Sequence, residues 1–315
     1  MPDANKARQV DSGAAPERPV AWLPGLMLFA GLTLVWGCNF PVMKIALSEA
    51  PVWWYRSACV LAGGTGLLGL SAIAGARLLP DGRQVPALIT CALFAVVGWH
   101  MLTGYGLTLM PAGRAVIITN TMPVWAALFA TFLLAERLTA TKIAGLALGM
   151  IGLAVLIGPD LADLQQAPVG ALLMVCAAMS WAMGTVLFKR TAWATGVAVT
   201  AGWMLLIAAV PITAGAALLQ PFPDVSTFRT EVWLAIAYTF LLPMIFGQWA
   251  YYRIVHLFSA IVAAIGTMAI PVIGVIASSL LVAEPIGERD LIALALISSA
   301  LVCVLILPAL RGSKP

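Results

Sequence analysis

Apolar runs of close to 20 residues recur along almost the whole chain, the length an α-helix needs to cross about 30 Å of hydrocarbon. They cover 22–47, 51–75, 85–109, 112–134, 140–158, 168–188, 195–219, 230–254, 258–282 and 290–308. Polar breaks such as "PDGRQ", "AERLTATK", "QPFPDVSTFRTE" and "AEPIGERD" separate them. Unpaired backbone cannot sit in lipid, so each run is expected to be helical. A water-facing globule is excluded by the balance of residues. The chain is 62% hydrophobic and 10% charged, where a soluble domain carries about 25% charge. The expected fold is an all-α membrane protein of ten transmembrane helices.

The first 20 residues are polar and lack an apolar h-region, so they read as a disordered cytoplasmic tail, with a second short tail at 311–315. Basic residues in short loops orient the spans. With the N-terminus in the cytoplasm, Lys44, Arg56, Arg114, Arg229 and Arg289 face outward and the other 12 of 17 Lys and Arg face inward. That bias supports an even number of spans with both termini cytoplasmic. The five cysteines are scattered through apolar runs and make neither a metal pattern nor a disulfide framework.

The chain also matches itself. "AERLTATKIAGLALGMIGLAVLIGP" from Ala135 aligns with "AEPIGERDLIALALISSALVCVLIL" from Ala283, bringing Glu136 onto Glu284. "MPV" at 122–124 aligns with "IPV" at 270–272, Trp36 with Trp181 and Lys44 with Lys189. The repeating unit then holds five helices, giving repeats at 21–158 and 159–310. Because five is odd, the second repeat must enter the bilayer upside down relative to the first. Inverted repeats are the architecture of secondary transporters, whose substrate site lies near midplane between the halves.

The stretches "WGCNFPVMKIAL", "PVWWYRSACVL", "ITNTMPVWAALFATFLLAERLTATKIAGLALGMIGLAVLI" and "AIPVIGVIASSLLVAEPIGERDLIALALI" resemble the EamA family of the drug/metabolite transporter superfamily. The resemblance covers about 22–308 and implies a ten-helix, two-repeat carrier, often an exporter of amino acids or other small metabolites. It also implies an arginine at the position of Arg56. Arg114 departs from the family pattern, and the second half has no counterpart to Asn120.

Several polar residues sit where lipid alone would not ask for them. Trp36, Asn39, Met43 and Lys44 share one arc of a helix at 100° per residue, and Pro41 removes a backbone hydrogen bond among them. This face reads as a cavity wall, although Lys44 is also close enough to the helix end to snorkel. Arg56 is either a cavity group or an interface anchor beside Trp53, Trp54 and Tyr55. His100 lies mid-span, as a proton-coupling group or as a neutral bridge between helices. Asn120 needs a buried partner, either helix or cargo. Trp54, Trp99, Trp181, Gln248 and Tyr251 complete the candidate cavity, with Pro41, Pro123 and Pro271 as candidate helix breaks. Glu136 and Glu284 read as charges at the N-termini of the helices that follow them.

No acidic residue falls at mid-membrane, whereas Lys44, Arg56 and His100 approach the cavity, which favours cargo bearing a carboxylate or phosphate. The expected function is alternating-access export of small amino-acid-like or other anionic or zwitterionic metabolites. The alternative is a multidrug exporter of neutral or cationic amphiphiles. An enzyme is disfavoured because no paired carboxylates, Ser–His or metal spacing stand at depth. No cofactor or nucleic-acid partner is expected, and no P-loop supports direct use of ATP. The partners are a small molecule and the bilayer, with monomer and homodimer both open.

Overall fold

The computed structural model describes residues 22–109, 118–157, 168–282 and 287–307, and every regular element among them is helical. In chain order these are α1 (Trp22–Ala46), α2 (Val52–Ile73), α3 (Val85–Ala92), α4 (Trp99–Leu109), α5 (Met122–Leu134), α6 (Ala140–Ile157) and α7 (Pro168–Arg190). They continue as α8 (Val197–Leu219), α9 (Thr230–Thr239), α10 (Gln248–Leu257), α11 (Ala260–Gly266), α12 (Ala269–Val282) and α13 (Glu288–Leu301). Six segments are long and apolar enough to cross a membrane, with four shorter apolar helices beside them. Large apolar side chains cover the outside: Leu218 is 86% exposed and Leu280 81%. Lipid accepts such a surface and water does not, so this is a multi-pass helical membrane protein.

The helices approach closely where side chains are small. α2 lies against α8, where a Cβ on Gly64 would sit 3.0 Å from the carbonyl oxygen of Gly202. α6 lies against α13 and the π turn Val302–Ile306 that follows it, where Gly152 faces Ile297 and Gly145 faces Val304. The spacing "GLALGMIG" thus does its work in this helix pair. α1 packs on α12 and on α9, and α7 packs on α4 and α5.

Two long rods widen in the middle. π turns at Leu93–Gly98 and Phe240–Gly247 join α3 to α4 and α9 to α10. A π turn reroutes the backbone ladder to i→i+5, and here a neighbouring helix donates to each turn. Ser180 Oγ on α7 donates to the Phe94 carbonyl at 2.7 Å. Trp36 Nε1 on α1 donates to the Pro243 carbonyl at 3.2 Å.

Two other rods break. Residues 120–121 turn before α5, and Thr267 and Met268 turn between α11 and α12. Pro123 and Pro271 therefore occupy the first turns of α5 and α12, where the missing N–H costs nothing. The breaks precede these prolines and are not kinks at them. α1 runs unbroken through Pro41.

At one end of the bundle, the α1–α2 and α8–α9 connections are tied together. Trp53 N donates to Gln220 Oε1 at 3.0 Å, and Arg229 N to Glu49 Oε2 at 2.9 Å, with the Arg229 guanidinium on the same carboxylate. At the opposite end, Ala260 N donates to Glu136 Oε1 at 2.8 Å. The expectation that Glu136 serves a helix N-terminus is right in chemistry but wrong in address. It caps α11, which is distant in sequence, and not the next helix α6. Glu284 lies outside the described residues.

Candidate functional site

A cavity of about 280 Å³ opens between the widened and broken rods. Trp36, Asn39 and Met43 of α1 line it with Tyr55, Arg56 and Cys59 of α2, Trp99, His100 and Thr103 of α4, and Thr119, Asn120 and Met122 at the start of α5. The other side is formed by Met174 and Trp181 of α7, Thr239 of α9, Pro243 and Met244 of the π turn, Gln248 of α10, and Thr267, Ile270 and Pro271 at the α11–α12 break. Both broken rods thus turn a helix N-terminus, the positive end of its dipole, towards this space.

Arg56 is the charge of the cavity. Its Nη1 lies 3.0 Å from His100 Nδ1. A guanidinium donates and cannot accept, so Nδ1 is the acceptor and the imidazole proton resides on Nε2. His100 is neutral while this bond stands, because an imidazolium has no lone pair to offer. Among the described residues, the ion pairs are Lys142 with Glu136 and Arg229 with Glu49. Neither involves Arg56, and among the described residues no Asp or Glu lines the cavity.

Other polar groups of the wall are committed to one another. Tyr55 Oη donates to Thr239 Oγ1 at 2.9 Å, and Thr239 Oγ1 lies 3.1 Å from Asn39 Oδ1. Trp181 Nε1 donates to Tyr251 Oη at 2.9 Å, which contacts Thr185 Oγ1 at 2.6 Å, which reaches back to the Trp181 carbonyl at 3.0 Å. Trp36 and Trp99 meet Trp181 edge-on, at centroid distances of 6.0 and 5.1 Å. Gln248 is 6% exposed, and its Oε1 has no hydrogen-bond partner.

Of the residues singled out in the sequence, Trp36, Asn39, Arg56, Trp99, His100, Asn120, Trp181, Gln248 and Pro271 come together on this wall. Trp54 does not. Its indole donates to the Gln220 carbonyl at 3.1 Å and its ring meets Phe222 at 4.9 Å, at the bundle end. Tyr251 is fully buried behind the wall, with its hydroxyl held by Trp181 and Thr185. Pro41 and Pro123 are not among the lining residues, and the Lys44 side chain and Arg114 lie outside the described residues.

The sequence reading passed over Tyr55, Cys59, Thr103, Thr239 and Thr267. Cys59 and Thr103 follow Arg56 and His100 by one helical turn, so a same-face search would have found them. Thr239 carries no such mark within its apolar run. Among the described residues no group of three His, Cys, Asp or Glu could hold a metal ion.

The model of the EamA-like transporter family matches residues 23–158 and again 168–306. The chain belongs to that family. Its relatives include the uncharacterized transporter YvbV of Bacillus subtilis, 31% identical over 88% of this chain and 90% of that protein. The uncharacterized inner membrane transporter YedA of Escherichia coli K12 is 28% identical over 91% and 92%. A probable amino-acid metabolite efflux pump of Salmonella typhimurium is 26% identical over 86% and 91%. One solved crystal structure superposes with a TM-score of 0.79 over 92% of this chain and 99% of that one, at 20% identity, a likeness of fold. EamA-like proteins are transporters, and the cavity is where this member offers its polar chemistry.

Proposed function

We propose that this chain is a ten-span secondary carrier of the bacterial inner membrane that exports small amino-acid-like or other anionic or zwitterionic metabolites. Its two five-span repeats, 21–158 and 159–310, run antiparallel in the bilayer, with cytoplasmic tails at 1–20 and 311–315. The packing supports this reading. Exchanging each span with the one five further on carries the α1–α12 contact onto α7–α5, and the α4–α7 contact onto α10–α1. It returns α2–α8 and α6–α13 to themselves. The same exchange pairs the π turn at Leu93–Gly98 with that at Phe240–Gly247 and the two broken rods with each other, while the π turn at Val302–Ile306 has no counterpart in α6. Alternating access would then be a rocking of one half against the other about the shared cavity.

The observation that carries the substrate reading is Arg56, a guanidinium on the cavity wall with a neutral histidine for company and no carboxylate among the described residues. A group of this kind recognises carboxylate or phosphate, often with two parallel hydrogen bonds. The relatives named as probable amino-acid metabolite efflux pumps point the same way. The test is efflux from proteoliposomes loaded with a panel of labelled amino acids and organic acids. Release by the intact chain should exceed that from Arg56→Ala and from protein-free vesicles; equal release across the panel would overturn the reading. If overexpression instead changes sensitivity to neutral or cationic amphiphiles, the multidrug alternative takes its place.

A further inference from the structure

We infer that the cavity is built for a small monocarboxylate without an ammonium group, so that a carboxylic acid anion is preferred over the amino acid of the same skeleton. This narrows the substrate of the site proposed above and rests on that reading.

Arg56 spends one N–H on His100 Nδ1 and keeps the rest of its donors. His100 then presents N–H at Nε2. Asn39 uses its carbonyl oxygen on Thr239, which leaves its amide N–H groups. Trp99 packs edge-on against Trp181, and its indole N–H makes no hydrogen bond. Among the described residues these are donors around a single formal positive charge, and the N-termini of α5 and α12 add the same sign.

A monoanion neutralises Arg56 and accepts from the free donors. A zwitterion offers the same carboxylate but brings an ammonium into a wall whose described residues include no carboxylate to receive it, and a buried charge without a partner is costly. Gln248 Oε1, the buried oxygen without a partner on this wall among the described residues, is an uncharged amide oxygen and cannot serve as the counter-ion of an ammonium. A dianionic phosphate overshoots in the other direction, because one guanidinium cannot balance it. At about 280 Å³ the cavity is near the small end of ligand pockets. Met43, Met174, Met244 and the tryptophan edges suit an apolar body.

The test uses the full chain with matched probes: 3-phenylpropionate, phenylalanine, phenethylamine and phenyl phosphate. Binding is read by thermal shift in detergent, and transport by efflux from proteoliposomes. The expected result is at least ~10-fold tighter binding of 3-phenylpropionate than of phenylalanine or phenyl phosphate, no binding of phenethylamine, and efflux in the same order. Trp99→Phe, which keeps the ring and removes the donor, should weaken 3-phenylpropionate several-fold without lowering the ligand-free melting temperature. Phenylalanine or phenyl phosphate equal to or better than 3-phenylpropionate would overturn the inference while leaving a carrier in place. Tight binding of 3-phenylpropionate without efflux of any probe would uphold the site and sink the carrier. No binding of 3-phenylpropionate would overturn the inference by itself.

Discussion

Two polar clusters meet across the edge of one tryptophan, and they are built on opposite principles. Behind Trp181, its indole, the Tyr251 hydroxyl and the Thr185 hydroxyl close a cycle that ends on the Trp181 carbonyl. Each donor there has an acceptor, so the cluster holds α7 to α10 and offers nothing to a ligand. In front of it, Arg56 and His100 share one hydrogen bond and leave the rest of the guanidinium open. Polar groups that satisfy one another make structure, and those that cannot do so are available to cargo. The Glu49–Arg229 pair at the bundle end is a third case, with a full ionic partner but bathed in water.

These differences set an order of effects. The largest is expected from Arg56→Gln. Losing a charged contact to bound ligand costs about 2–5 kcal/mol, so efflux should fall by roughly two orders of magnitude or more. The melting temperature should hold, because no carboxylate loses its partner. A large drop in stability would mean that Arg56 belongs with the closed cluster. Next comes Tyr251→Phe. It strands the Trp181 indole and a Thr185 lone pair, and about 1–3 kcal/mol of stability should go. The ranking of substrates should not move; a change in selectivity would show that Tyr251 contacts cargo.

His100→Phe should raise KM by roughly tenfold while kcat changes less, since it frees the guanidinium from its positioning acceptor without removing it. A kcat loss matching that of Arg56→Gln would assign His100 a direct role in the transport step. The smallest effect belongs to Glu49→Gln, because an exposed ion pair is worth little and the transport rate should change by about twofold or less. The hydrogen bonds from Arg229 hold the Glu49 carboxyl below the usual carboxylate range. Its contribution is therefore present at neutral pH and lost as pH falls through that lowered value. Glu49→Gln should abolish this acid-side dependence in an inter-loop crosslinking assay, and a dependence that survives the change would have another source.

Much of this molecule was legible along the chain. The apolar runs marked where the described helices lie, and 85–109 and 230–254 read as single spans although each contains a π turn. The arc of Trp36, Asn39 and Met43 reached the cavity because a helical face follows from spacing alone. The π turns escaped because no residue type demands i→i+5 bonding. What stabilises them includes a donor on another helix, Ser180 for one and Trp36 for the other. Trp54 read as a cavity residue beside Arg56, yet consecutive helical residues point about 100° apart, and only the partner Gln220 reveals which way it turns.

By itself the sequence determined that the chain lives in lipid as helices and where those helices lie, because these depend on composition and on spacing along one axis. Which polar groups pair off and which are left over was decided by the tertiary structure alone. Thr239 finds Tyr55 and Asn39, Glu136 finds α11, and Arg56 finds only a neutral imidazole. A hydrogen bond in lipid is made with whatever packing brings near, and packing is a property of the assembled helices.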